Sequence, residues 1–326
     1  MSKIISNLQY VPAKPMLLGR IFVNYLSQIV LRRPLLRVVN FAVNYACQLS
    51  CQHCSAEGIK DQNEGQGKLT LDEIKKFFKE AEQCGTINYH FTGGEPLLEK
   101  RFYDIVLLIR KDRNILSMVT NGLLLAEEAG RLKDAGFDLI QVSIDSPDPD
   151  VHDKIRGYPG AHQKSWEGVE AALDQKLKVM LCMVATNENL ENGEVEKQIE
   201  ICRKKGIVLQ ILPARNVGKW EGESSALLSE ENKTKFYRLV QGFYARWDGQ
   251  SSYFPPCCLA GRERLYISPT GDVYPCDFIQ ESYGNVREES LKKIWERILS
   301  THPYQQKNRE CLTAFNEEFI RRPKQS

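Results

Sequence analysis

The chain lacks the features that mark nucleic-acid-binding, secreted or membrane-spanning proteins. Its 44 Lys and Arg nearly balance 42 Asp and Glu, so the formal charge of +2 gives no sign of a nucleic-acid partner, and none is expected. No apolar run is long enough to cross a bilayer. A secretory signal, internal repeats and low-complexity tracts are all missing. A cytoplasmic, reducing setting is therefore expected, with the ten cysteines reduced and free to bind metal. What remains is an ordinary globular composition, 42% apolar and 26% charged, in 326 residues. That length suits one barrel-sized domain plus a smaller one.

Three of the cysteines crowd into one loop. Cys47, Cys51 and Cys54 are spaced C-x3-C-x2-C within Asn44-Tyr45-Ala46-Cys47-Gln48-Leu49-Ser50-Cys51-Gln52-His53-Cys54. Thiolate is a soft ligand that suits iron–sulfur clusters or zinc. Structural zinc wants four ligands, often as two separated pairs, and the next cysteine, Cys84, is far along the chain. Three thiolates this close can hold three irons of a [4Fe–4S] cube and leave the fourth open. The alternatives are His53 as a fourth zinc ligand, and ordinary buried thiols.

After Arg37 the chain alternates strand-like and helix-like segments. Strands are expected over residues 38–43, 87–92, 115–120, 139–144, 178–186 and 207–212. Helices are expected over 102–110, 124–135, 166–175 and 195–205, and another begins after Thr70, where Glu73 completes a capping box. Such alternation implies a parallel sheet, with functional loops at the carboxyl ends of the strands. Residues 216–256 read as a linker with one helix over 230–247. A hairpin then turns on Pro269-Thr270-Gly271-Asp272, followed by a helix over 290–299 and a polar tail with Cys311. Cys84, Cys182 and Cys202 fall within helix or strand patterns and read as core.

Residues 16–31 are rich in apolar side chains but too short and too polar to span a membrane. Leu18, Phe22, Tyr25 or Leu26, and Ile29 share a helical face, and Arg32, Arg33 and Arg37 follow. The favoured reading is a helix packed on the barrel. The other is weak contact with a membrane surface or a lipid-like substrate through residues 16–33.

The cysteine loop after the first strand, with His53 before the last cysteine, resembles the radical S-adenosylmethionine (SAM) superfamily from about Arg37 to the end. The resemblance implies a partial (β/α)6 TIM-type α/β barrel and an open iron that binds the SAM amino and carboxylate groups. Reductive cleavage of SAM would give a 5′-deoxyadenosyl radical that takes a hydrogen atom from a substrate. A reduced flavodoxin- or ferredoxin-type electron donor is implied as well. Thr92-Gly93-Gly94-Glu95-Pro96 matches the family's GGEP motif, whose backbone and Glu95 are expected at the methionyl amine. Paired glycines allow close backbone approach, and a carboxylate suits an ammonium. Thr120 and Asn121 are expected nearer the ribose, and Ser143 and Arg156 on the SAM carboxylate. The plainer alternatives are a turn at Asn121-Gly122, a surface cation at Arg156 and a helix cap at Asp145. Leu212-Pro213-Ala214 is expected to wall the adenine.

The tail carries Cys258, Gly271 and Cys276 as C-x12-G-x4-C, which resembles the SPASM and twitch extensions that bind auxiliary iron–sulfur clusters. A hairpin with cysteines at its feet brings both thiols to one place, with Gly271 at the turn. Only Cys311 follows, so the shortened twitch form with one auxiliary [4Fe–4S] cluster fits better. Its ligands would be Cys276, Cys311 and Cys257 or Cys258; zinc is the alternative occupant. Asp277 stands where the sulfatase-maturing relatives carry an aspartate that takes a substrate proton, with a hairpin-end hydrogen bond as the plainer alternative.

The expected organisation is an N-terminal helical segment (1–36), a radical SAM partial barrel (37–215), a linker (216–256) and a twitch/SPASM-like α+β extension (257–326). The expected function is an oxidoreductase-type radical SAM enzyme. Its substrate is not specified: a peptide or protein side chain, a small alcohol or sugar, or a lipid. No winged-helix peptide-recognition domain is evident before Arg37, which counts against a leader-bearing peptide. A non-catalytic iron–sulfur carrier or redox sensor is the alternative, but it would not need the GGEP loop.

Overall fold

Alternation along the strands decides which side of the sheet becomes core. The computed structural model describes residues 14–30, 34–63, 65–251 and 257–322. Six parallel strands, β1 (Val38–Asn44), β2 (Asn88–Gly93), β3 (Ile115–Thr120), β4 (Leu139–Ser143), β5 (Val179–Ala185) and β6 (Val208–Pro213), stand side by side in chain order. Helical crossovers join them. A short strand β7 (Ala245–Arg246) extends the sheet beyond β6, and β8 (Arg264–Ile267) pairs in parallel with β1. The last strand, β9 (Val273–Tyr274), runs antiparallel to β8. β7 and β9 are the sheet's two edges, so the barrel is open and partial, as expected. The C-terminal hairpin is thus a continuation of the barrel sheet.

Residues on one face of the strands, among them Val39, Phe41, Tyr89, Phe91, Leu116 and Ile140, are buried under the helices. Phe41 meets Phe77 and Phe78 edge-on at 5.1 and 5.9 Å, and Phe91 meets Phe102 at 5.4 Å. The helix Leu71–Gln83 starts with the expected capping box: Glu73 N–H donates to Thr70 Oγ1, and Thr70 N–H donates to the Glu73 carboxylate. The alternate residues on the strands, including Asn40, His90, Ser117, Gln141 and Gln210, face the other way. Filled parallel barrels place branched aliphatic side chains there. Here the inward face mixes polar with apolar side chains and surrounds a cavity of about 1180 Å³. Cys182 is buried, as its apolar strand suggested, and also borders this cavity.

Two sequence expectations change. The helix expected over 230–247 ends at Leu239 (Glu230–Leu239), and the apolar residues beyond Gly242 supply β7. Glycine is a poor helix former, and the free edge of β6 offers the segment ladder partners: Leu209 N–H donates to Tyr244 O.

The N-terminal helix α1 (Pro15–Val30) packs on the barrel, but not by the face that its apolar pattern suggested. Its docked side is mostly polar. Lys14 pairs with Asp138 at 2.6 Å, Arg20 donates to the carbonyls of Thr86 and Arg113, Asn24 donates to Gly85 O, and Leu17 is fully buried between them. These partners lie at the amino ends of the strands, where backbone carbonyls left over from the ladder need donors. Phe22 and Leu18 are left 61% and 48% exposed. The Ile29 side chain, Arg32 and Arg33 lie outside the described residues. No helix among the described residues is long and apolar enough to cross a membrane.

Phe41→Ala should cost about 3–5 kcal/mol, because the tightly packed Phe77 and Phe78 rings cannot collapse into the void. Denaturant unfolding of the two proteins measures this, and a loss well below 2 kcal/mol would mean that the outer face is not close-packed.

Candidate active site

The cysteine loop leaves the carboxyl end of β1 and is tied down on both sides. Gly94 N–H donates to Asn44 O at 2.9 Å, Glu95 N–H to Ala46 O at 2.8 Å, and Asn44 Nδ2 to Glu95 O at 3.0 Å. A Cβ on Gly93 would sit 2.1 Å from Asn44 O, and one on Gly94 2.3 Å from Ala46 O. The paired glycines are therefore required by the chain's own crossing, whatever ligand they also meet. On the other side, Ser50 and Gln52 N–H donate to the carbonyls of Arg156 and Ile155, at the end of the helix Pro149–Arg156.

Cys47, Cys51 and Cys54 line one end of the cavity. Donors point at their sulfurs: Leu49 N–H is 3.4 Å and Asn121 Nδ2 3.7 Å from Cys47 Sγ, and Arg156 Nη1 is 3.7 Å from Cys51 Sγ. Burial pushes the Cys47 and Cys54 thiols up, a cost that a bound metal offsets by keeping them as thiolates. Among the described residues, no three His, Cys, Asp or Glu side chains converge as on a single metal ion. The sulfur-only donor set along one loop, with N–H groups aimed at it, fits an iron–sulfur cluster better than mononuclear zinc.

Beside the triad, Arg156 pairs with Asp145 through Nη2 at 2.6 Å, while its buried Nε has no partner. Arg156 lines the cavity, and a guanidinium suits a carboxylate. Burial would raise the Asp145 carboxyl, but Arg156 and His53 hold it below its ordinary value. His53 Nε2 lies 3.4 Å from Asp145 Oδ2, and its ring leans on Trp220 at 5.6 Å, so it faces away from a ligand role with the cysteines. Asp145 is no helix cap: the next helix is capped by Asp148.

Gly93, Gly94, Thr120, Asn121 and Ser143 line the same cavity, as do Leu212 and Pro213, whereas Ala214 is buried off its wall. Glu95 lies behind this wall. Its carboxylate is buried in the loop, where Thr120 Oγ1 donates at 2.9 Å, Asn121 N–H at 2.8 Å and Leu97 N–H at 3.1 Å. Glu95 thus clamps the end of β3 to the Gly-Gly turn. Burial, against these three donors, pushes its carboxyl up to about 7.

Cys258, Cys276 and Cys311 line a second, small cavity with Arg215 and Thr313. Cys257 does not; its N–H donates to Gly249 O, and adjacent side chains diverge. The hydrogen bond from Cys258, against burial, and the Arg215 guanidinium 3.6 Å from Cys311 Sγ hold the Cys311 thiol down to about 5. The Cys258 thiol is pushed up by the same hydrogen bond. This donor set also fits a cluster. Asp277 lines the main cavity, where Asn40 Nδ2 donates to its two oxygens at 2.7 and 2.8 Å. Burial, against Arg264 and Asn40, pushes its carboxyl up.

Arg215 escaped the sequence reading. It lines both cavities, stacks on Phe278 with its Cζ 3.8 Å from the ring centre, and donates to Pro213 O and Thr313 Oγ1. Its place directly after β6 was the available signal. The Tyr45–Tyr266 hydroxyl pair at 3.0 Å was missed as well, since no spacing links residues so far apart.

The comparisons with known proteins agree with this geometry. Residues 42–199 match the radical SAM superfamily, and residues 257–313 match an iron–sulfur cluster-binding domain. A probable GTP 3′,8-cyclase of Methanosarcina mazei is 30% identical over 284 residues, 80% of this chain and 83% of that protein. An AdoMet-dependent heme synthase of Methanosarcina barkeri is 26% identical over 80% of this chain and 82% of that protein. PqqA peptide cyclase of Rhizobium meliloti is 27% identical over 78% and 72%. Among solved structures, anSMEcpe with bound AdoMet superposes with a TM-score of 0.62 at 20% identity, covering 85% of this chain and 80% of that one. SuiB of Streptococcus suis, bound to its precursor peptide SuiA, gives 0.61 at 14% identity; the alignment covers 83% of this chain and 66% of SuiB.

The Glu95 clamp predicts a pH dependence. With a folded-state value near 7 against an ordinary 4.5, its contribution to stability is full below pH 4.5 and is lost as pH rises through 7. Glu95→Gln imitates the protonated form, so its unfolding midpoint should fall less steeply than the wild type's between about pH 4.5 and 7, and in parallel with it above. Equal slopes in anaerobic thermal unfolding would show that Glu95 does not titrate there.

Proposed function

Since the chain belongs to the radical SAM superfamily, and is an enzyme that uses SAM and iron–sulfur clusters, we propose that it takes a hydrogen atom from a substrate held inside the barrel. One observation carries this reading: the Cys47–Cys51–Cys54 triad, Arg156 and Asp277 all line one cavity. When bound, the cluster and SAM supply a 5′-deoxyadenosyl radical for the hydrogen abstraction.

In this reading Cys47, Cys51 and Cys54 hold the cluster. Asn121 and Arg156 donate toward their sulfurs, which favours the thiolate form. Arg156 and Ser143 receive the SAM carboxylate, the Gly93-Gly94 backbone lies along the methionyl part, and Thr120 and Asn121 face the ribose. Asp277 accepts a substrate proton, with Asn40 fixing its two oxygens toward the cavity. Cys258, Cys276 and Cys311 hold the auxiliary cluster, and Cys257 stays outside it. The division into barrel (37–215), linker (216–256) and cluster-binding extension (257–326) belongs to the same proposal, as does a flavodoxin- or ferredoxin-type electron donor. The relatives' names cover a haem, a peptide and a nucleotide, so similarity alone does not choose a substrate.

Anaerobic reconstitution tests the reading. Wild type should bind about eight irons, and the Cys258→Ala/Cys276→Ala/Cys311→Ala variant about four, with both still forming 5′-deoxyadenosine from SAM and dithionite. The Cys47→Ala/Cys51→Ala/Cys54→Ala variant should form none. A fully loaded wild type that releases no 5′-deoxyadenosine refutes the proposal.

A further inference from the structure

The cavity has two unlike ends. The cysteine triad occupies the carboxyl end of the strands. The amino end is apolar, walled by Val38, Ile115 and Leu139 at the strand starts and by Leu18, Phe22 and Tyr25 of α1. Between the two lies a polar belt of Asn40, Ser117, Gln141, Gln210 and His90, whose imidazolium burial pushes down to about 3, so it is neutral; the Arg264–Asp248 pair and Asp277, which Asn40 holds, lie on the same wall. His90 Nδ1 meets Ser117 Oγ at 3.0 Å, and Ser117 Oγ donates to Asn88 Oδ1 at 2.9 Å.

The apolar edge of α1 does not serve its docking. Polar bonds to the strand starts and the buried Leu17 already hold the helix, while Leu18 and Phe22 stay 48% and 61% exposed. These side chains both line the cavity and reach solvent, so an apolar strip runs from the barrel interior to the outside. Exposed apolar strips continuous with a ligand site mark a binding surface. At this end the buried Arg37 is matched by Glu263 at 2.5 Å, and Lys14 by Asp138. Arg264, opposite Val38, is matched by Asp248, so these charges at this end, among the described residues, are already paired. At about 1180 Å³ the cavity also exceeds the ~300–1,000 Å³ of ordinary ligand pockets, which leaves length beyond one cofactor.

We propose that the substrate site takes an amphiphile with one long hydrocarbon chain. Its uncharged polar part sits against the Asn40–His90–Gln141 belt, and its chain leaves the barrel over Leu18, Phe22 and Tyr25. A peptide fits this end less well, because its backbone donors and acceptors would meet an apolar wall. The inference rests on the barrel cavity being the substrate site.

The test uses 1-monolauroylglycerol below its critical micelle concentration, titrated calorimetrically into the full chain with and without clusters. Saturable binding of one molecule per chain is expected, with a negative heat-capacity change and no binding of glycerol alone. Leu18→Ser/Phe22→Ser should weaken it about tenfold or more, with circular dichroism and iron content unchanged. Leu107→Ser, an exposed apolar residue on another helix, should leave it unchanged. Three outcomes overturn the proposal: no one-to-one binding, binding that the double variant leaves intact, or partition only into phosphatidylcholine vesicles. A wild-type dimer that the double variant dissolves also overturns it, since the strip then serves a second copy. The probe is read on the cluster-free chain too, so its failure leaves the 5′-deoxyadenosine result standing, and the reverse holds equally.

Discussion

The parallel pairing of β8 with β1 is the contact on which the rest of the arrangement depends. β1 launches the cysteine loop from its carboxyl end, and its other edge receives β8 in register from Val38 with Arg264 to Phe41 with Ile267. At the amino end the buried Arg37–Glu263 pair locks that register, and removing one partner of such a pair costs about 3–5 kcal/mol. The hairpin then returns through β9 and delivers Cys276 and Asp277 beside the barrel, where Asn40 of β1 holds the Asp277 carboxylate. One strand thus positions groups at the triad and at the hairpin.

The second constraint is the polarity of the inward face. Stability comes from the outer side of the sheet, where Phe41, Phe77, Phe78, Phe91 and Phe102 interlock beneath the helices. The inside is therefore free to carry amides, an imidazole and charged pairs around open space. Such groups are costly to bury without partners, and most of them are paired along the wall: His90 with Ser117, Arg264 with Asp248, Arg156 with Asp145. Arg156 Nε is an exception, buried without a partner.

Much of this was legible in the chain. The six barrel strands follow from apolar runs separated by helical patterns, and the capping box at Thr70 is local chemistry. The C-x3-C-x2-C loop and the Gly-Gly turn are short-range signals as well, each within one loop. Less legible was what a side chain touches across the fold. Glu95 reads as a ligand carboxylate in its motif, and only the fold shows that the Asn121 and Leu97 N–H groups also converge on it. The apolar stripe of α1 reads as a docking face, yet the amino ends of the strands offer carbonyls that polar side chains satisfy better.

The sequence by itself determined the element order, the cysteine loop, and the family to which they belong, since these rest on periodicity and spacing within a few turns of chain. Only the tertiary structure decided which cysteines meet. Cys258, Cys276 and Cys311 share a cavity that Cys257 does not line, although the two adjacent residues are chemically identical. It also decided that Arg215 reaches both cavities and that α1 lends its apolar edge to the barrel's amino end. These outcomes depend on contacts between residues tens to hundreds of positions apart. Such contacts are set by strand order and side-chain direction, which spacing along the chain does not encode.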